Sequence, residues 1–281
     1  MRLDELTNIP VLPPDIGEVN TTAQTVFTLG QIVPMAIFFW LAHRYRQEHC
    51  TWIPWAMLAG GFAMSLVEPL VDHNGLCWFP EQGQVTAFRD YGVSLPWWLV
   101  IAYVWFFGGR AMYVWHALER GKGADPTWWF KSWATVFAID IVLESVGLQM
   151  DLFFYYGEQP LKLGQFPLWW AAINSTTPLL LGALAFVLRS QLHGWRALLV
   201  VPLAPAVCAG VNAAAGWPIY GALHNTECPT ALVWAAAMLT IALALAVTRL
   251  TRALVEVCAR AGIVELDPVQ HPVPGEAVRH A

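Results

Sequence analysis

Residues 137–147 read FAIDIVLESVG. Whether this stretch crosses a membrane decides the fold. It is apolar apart from Asp140 and Glu144, which stand four residues apart and so share one helical face. The surrounding chain has 281 residues, of which 57% are hydrophobic and only 12% charged. A soluble domain carries about 25% charge. Residues 19–42, 51–67, 91–109, 163–188, 197–223 and 230–248 contain no Asp, Glu, Lys or Arg. Most of these runs approach or exceed the ~20 residues that cross a bilayer core as a helix. The expected fold is therefore all-α, a polytopic membrane bundle. Its spans fall near 22–43, 53–72, 96–117, 129–150, 167–189, 196–216 and 230–256.

By hydropathy the fourth span is the weakest, because it holds the two acids. Topology argues for it. With seven spans and the N-terminus outside, twelve of the 15 Lys and Arg fall on the cytoplasmic side. Only Arg2, Arg89 and Lys162 fall outside, as the positive-inside bias requires. Without that span the later basic loops would face outward. The first twenty residues hold Asp4, Glu5, Asp15 and Glu18 with three prolines, so no cleavable signal peptide is expected. The first span would serve as its own insertion signal. The expected organisation is an outer arm at 1–21, a membrane domain at 22–258 and a disordered cytoplasmic tail at 259–281. The expected location is the cytoplasmic (plasma) membrane.

Three segments share a plan. EPLVDHNGLCWFP precedes a loop and LPWWLV; DIVLESVGLQMDLFFYYG precedes a loop and FPLWWA; AGVNAAAGWPIYG precedes a loop and CPTALVW. In each, a helix rising outward carries polar residues in its outer half and ends in Gly and aromatics. The next helix begins at Pro96, Pro167 or Pro229, a position where proline is tolerated. The pattern reads as a three-hairpin repeat behind an added first helix, or as the aromatic, Pro-bearing ends common to membrane helices. Cys77 and Cys228 fall in outer loops, either as a disulfide or as free thiols. Spacing does not decide between them. No metal-type Cys/His cluster is visible, and no nucleotide, flavin or haem motif, so no cofactor and no metal are expected.

The second span repeats the acidic motif with Glu68 and Asp72. At ~1.5 Å per residue, Glu68 and Glu144 both sit ~22 Å from the inner helix ends. Asp140 is nearer the midplane, and Asp72 nearer the outer interface. An Asp at a helix centre costs about 2.5–3.5 kcal/mol, so the four acids should turn inward. There, desolvation and mutual repulsion should keep at least one carboxyl protonated. Such a pair suits acid–base catalysis on a lipophilic substrate. Glu68 and Glu144 are the candidate acid and base, with Asp72 and Asp140 as tuning partners. Trp78, Tyr155, Tyr156, Trp169, Asn174, Asn212 and Trp217 are the candidate substrate-binding residues. A purely adhesive alternative pairs Arg110 with Asp140 and has Asn174 and Asn212 bond to neutral acids. A proton-coupled transporter or lipid-binding membrane protein would use the same acids to carry protons.

The stretch DIVLESVGLQMDLFFYYGEQPLKLGQFPLWW resembles the avermectin-type spirocyclase family of actinobacterial membrane proteins. EPLVDHNGLCWFP and WFFGG look like its upstream half. Membrane carotenoid hydratases and meroterpenoid cyclases are more loosely similar. The resemblance implies cofactor-free cyclisation (spirocyclase-type), hydration or dehydration of a polyketide or isoprenoid, as in secondary metabolism. It places the acids at Asp140, Glu144, Glu68 and Asp72, and the loop aromatics at Tyr155 and Tyr156. The His- and Trp-bearing first loop departs from that pattern. Expected partners are a lipophilic small molecule and the bilayer, with no nucleic acid; the sequence leaves oligomeric state open.

Overall fold

The computed structural model describes Pro10 and residues 17–266. The expected outer arm and cytoplasmic tail lie mostly outside the described residues. Seven helical rods follow one another. The first, α1, is Thr21–His49, capped by the Asn20 side chain on the Ala23 N–H. The second, α2, joins Ile53–Met64 through a 3₁₀ turn, Ser65–Val67, to Glu68–Gly75. In α3, Trp97–Tyr103 and Arg110–Glu119 flank a π-helical turn, Val104–Gly109. The unbroken α4 is Pro126–Gln149, and α5 is Leu168–Val187. The sixth, α6, spans Gly194–Leu223 with a π turn at Asn212–Gly216, and α7 is Thr230–Arg260. The last helix thus continues two residues beyond the expected domain boundary at 258.

Five rods (α1, α2, α5, α6 and α7) are long and apolar enough to cross a membrane. The apolar content of α3 is diluted by Arg110, and that of α4 by Lys131, Asp140 and Glu144. Large apolar side chains stand exposed along α1 (Leu29, Val33, Trp40) and α7 (Leu232, Met238, Leu250). Water-soluble monomers rarely expose such continuous apolar faces, so the bundle has the character of a multi-pass membrane protein.

The most enclosed rod is α5, which packs against α3, α4, α6 and α7. Helices α2 and α3 cross closely because both present glycine. A Cβ on Gly61 would lie 2.6 Å from the Tyr103 carbonyl oxygen, and one on Gly108 would lie 2.5 Å from that of Met57. Small residues at such crossings let membrane helices approach, where packing rather than the hydrophobic effect drives association. Pro69 breaks α2 locally: it lacks an N–H and crowds the carbonyl one turn back. The chain answers with the 3₁₀ turn, in which the Ser65 hydroxyl donates to the Phe62 carbonyl at 2.7 Å.

The loops after α2 and α4 are stitched together. Strand β1 (Cys77–Trp78) pairs antiparallel with Phe154–Tyr155 of the later loop, Cys77 opposite Tyr155. Each loop also contains a short hairpin, Thr86–Asp90 with Val93–Pro96 and Lys162–Leu163 with Phe166–Pro167. Pro96 and Pro167 then cap the following helices, as Pro229 caps α7. Both α2 and α4 are followed by a residue in the left-handed region, Leu76 (φ 57°) and Asp151 (φ 54°). Cys77 and Cys228 do not form a disulfide; both are free thiols. Cys77 is buried on the β1 ribbon within hydrogen-bonding reach of Asp72, which turns its sulfur into the bundle.

Candidate functional site

The four acids expected to matter converge below the ribbon. Glu68 is the first residue after the 3₁₀ turn of α2, and Asp72 follows one turn later; both are buried. On α4, Asp140 is buried and Glu144 partly so. Glu68, Asp140, Glu144 and Asn174 line one small cavity together with Leu99, Tyr103, Phe106, Phe107 and Leu143. Its volume is about 20 Å³, room for roughly one water molecule.

Each carboxyl has its own neutral donor. The Tyr103 hydroxyl donates to Glu68 Oε2, and the Tyr155 hydroxyl to Glu144 Oε2 at 2.9 Å. Asn174 Nδ2 donates to Asp140 Oδ2 at 3.1 Å, and the Cys77 thiol lies against Asp72. Tyr155 belongs to the ribbon, so pairing of the two loops aims a phenol at α4. Burial, reinforced by the Glu144 carboxylate, pushes that phenol well above the ordinary tyrosine range. It therefore remains a donor throughout the physiological pH range. Burial likewise pushes Tyr156 up to about 12.

None of the four acids has a cationic partner among the described residues; the ion pairs found there all lie elsewhere. The expected alternative of Arg110 bound to Asp140 does not form, and Arg110 Nε is itself without a partner. Four close carboxyls in a helical interior without a counter-ion cannot all be charged at once.

The aromatic expectations divide. Tyr155 packs edge-on against Trp170 (5.3 Å), which neighbours Trp169 (5.1 Å), which meets Tyr220 (5.9 Å). Trp169 is fully buried, and its indole N–H, like that of Trp78, has no protein partner among the described residues. One oxygen of Asp72 is in the same state. Trp217 stands apart from this aromatic row and is 60% exposed. The π turn at Asn212–Gly216 adds backbone to each turn and shifts the helical phase. Tyr220 consequently turns inward and donates to Asn212 Oδ1 at 2.5 Å. Asn212 also donates to the Cys208 carbonyl at 2.9 Å and bonds no acid.

Tyr103, Phe106 and Phe107 were not among the expected site residues. The signal was present: WFFGG breaks helical regularity with paired glycines, and the π turn swings Tyr103 and Phe107 together, with ring centroids 4.6 Å apart. Such turns recur at functional sites. A second polar cluster, at the opposite end of the bundle, joins Glu48, His49 and His116, whose ligand-type atoms lie within 4.8 Å of one another. His49 and His116 are 67 residues apart and meet only through packing of α1 on α3, so the sequence reading did not see this group. It is already bonded internally: His49 Nε2 to His116 Nδ1 at 2.9 Å, and Arg120 to Glu48 at 2.9 Å.

Fold and site together define a helical bundle of multi-pass membrane character with a buried carboxyl cluster that has no cationic partner among the described residues. No family model, no characterised protein and no solved structure matches the chain.

Proposed function

We propose that the chain is an integral membrane enzyme using its carboxyls for acid–base cyclisation, hydration or dehydration of a lipophilic polyketide or isoprenoid. The observation that carries this reading is the cluster itself. Glu68 and Glu144 come from different rods, face one cavity, and have only neutral donors. A purely adhesive role needs one acid and one partner, not four acids without a cation. In a ring closure with loss of water, the protonated carboxyl gives its proton to the departing hydroxyl, which leaves as water. The opposing carboxylate takes the proton of the attacking hydroxyl, and one transfer between the two resets the pair. Tyr103 and Tyr155 hold the two carboxyls in place.

A transporter would need polar access to the acids from each face in turn. Here α2 and α3 are in backbone contact at the Gly61–Gly108 crossing, on the side of the acids away from the ribbon. The likeness of residues 140–170 to spirocyclases favours the same enzyme class. The reading extends to seven spans in the plasma membrane, with the ribbon outside and the C-terminus in the cytoplasm. Arg44 over Trp40 (5.2 Å) and Arg46 over Trp52 (3.8 Å) suit an inner interface at the end away from the ribbon. The parallel build of the loops after α2 and α4 favours a repeat of at least the first two hairpins. The test compares lipid extracts of cells with and without the gene. Glu68→Gln and Glu144→Gln should each remove the gene-dependent product while the protein accumulates and runs as a monodisperse species. Unchanged product in both variants, or misassembly of both, would leave the acids with a structural role.

A further inference from the structure

An apolar cavity lies beside the acids. It measures about 630 Å³ and sits between α1 and α4, with Trp105 of α3 among its lining residues, within the ~300–1,000 Å³ of small-molecule sites. Its walls are apolar, from Val26 to Pro34 on α1 and from Ala138 to Met150 on α4. At ~1.5 Å per residue these segments run ~12 and ~18 Å along their helices. Val26 and Val142 are exposed at its rim, so it opens sideways, through the face expected to meet lipid. The inner polar mark is Gln31, buried and accepting from Trp105 Nε1 at 2.9 Å.

Helical phase places this groove next to the carboxyls. At ~100° per residue, Ile139, Val142, Val146 and Met150 form one stripe of α4, and Asp140 and Glu144 form another roughly 135° away. Leu143 falls between the stripes and lines both cavities. Leu143 is thus the wall residue common to the 630 Å³ groove and the acid cavity.

We infer that this groove is the substrate's binding site: a single long apolar chain enters it from the bilayer and places one terminal oxygen function or double bond past Leu143, between Glu68 and Glu144. This rests on the proposed acid–base reading and adds to it the substrate's shape and route. The acid cavity alone, at about 20 Å³, cannot hold a polyketide or isoprenoid. A chain lying in the groove needs only a rotamer change of Leu143 for its reactive end to reach the acids. The closed ribbon above then keeps bulk water from the reacting end. The occupant is one chain with one polar end, because the groove's walls are apolar and Gln31 Oε1 is already taken by the Trp105 indole N–H.

The test is photolabelling in nanodiscs with a diazirine-bearing geranylgeraniol, followed by peptide mapping. Labelling should concentrate on residues 26–34 and 138–150 and be reduced at least about fivefold by excess unlabelled geranylgeraniol. Gly30 lines the groove, and a Cβ there meets nothing within 4 Å. Gly30→Phe should therefore fill the groove without unfolding the protein and abolish the competed labelling. Glu68→Gln and Glu144→Gln should label like wild type. Labelling spread equally over α7, or equal labelling by a diazirine phosphatidylcholine that the alcohol does not displace, would mean annular lipid only and overturn the inference. Normal groove labelling with product formation unaffected by the Glu variants would instead overturn the acid–base reading while leaving the binding site in place.

Discussion

Replacing Tyr155 by Phe removes one oxygen and little else. The ring keeps its contacts with Phe153, Phe166 and Trp170, so the packing contribution is largely retained. What is lost is the 2.9 Å bond to Glu144 Oε2. A hydrogen bond to a charged group is worth about 1.5–3 kcal/mol and a neutral one about 0.5–1.5. Interhelical bonds in membranes average only about 0.6, with a maximum near 1.7. Tyr155 sits on the ribbon rather than between spans, and Glu144 has no other side-chain donor, so about 1–2 kcal/mol is expected. The assay is a double-mutant cycle: Tyr155→Phe, Glu144→Leu and the double variant, unfolded reversibly from mixed micelles. The coupling between the two positions should exceed about 0.6 kcal/mol. If the two losses simply add, Tyr155 does not hold Glu144, and the ribbon has no part in the site. A product assay on the same variants separates positioning from stability. Tyr155→Phe should lower turnover more than it lowers the folded fraction, whereas a merely structural tyrosine would lower both together.

Gly108→Val should prevent accumulation of folded protein, because even its Cβ would meet the Met57 carbonyl oxygen at 2.5 Å; a normal yield on gel filtration would refute the close crossing. Trp169→Ala should cost about 3–5 kcal/mol, the usual result for emptying a buried aromatic site. Trp217→Ala, on an exposed side chain, should leave stability within about 0.5 kcal/mol, and thermal denaturation of both variants checks the contrast. Native protein should take up maleimide at the partly exposed Cys228 but not at the buried Cys77, and its mobility should not change on reduction. Mass spectrometry of the labelled peptides reads both thiols.

Much of the fold was legible because its signals are local. Apolar run length marked the helices, and the prolines at 96, 167 and 229 marked three helix starts. The i, i+4 spacing of Glu68 with Asp72 and of Asp140 with Glu144 placed each pair on one face, and the cost of burying charge turned those faces inward. Asn174 was a candidate as a mid-helix amide able to bond a neutral acid, and Tyr155 as a loop aromatic that could line an apolar cavity.

What the sequence did not contain is phase and partnership across rods. A π turn has no strong composition signal, yet those at 104–109 and 212–216 rotate everything beyond them. One begins directly after Tyr103, which bonds Glu68, and the other precedes the exposed Trp217 and the inward-bonded Tyr220. Pairing of β1 with the later loop set Tyr155 against Glu144 and drew Cys77 away from Cys228. The apolar groove beside Leu143 exists only because α1 and α4 flank α3 with a gap between them. Local chemistry thus determined which residues must be hidden from lipid, since each group's desolvation cost is its own. Which hidden residues meet was decided by the tertiary structure, because contacts between rods depend on crossing geometry and helical phase accumulated over the whole chain.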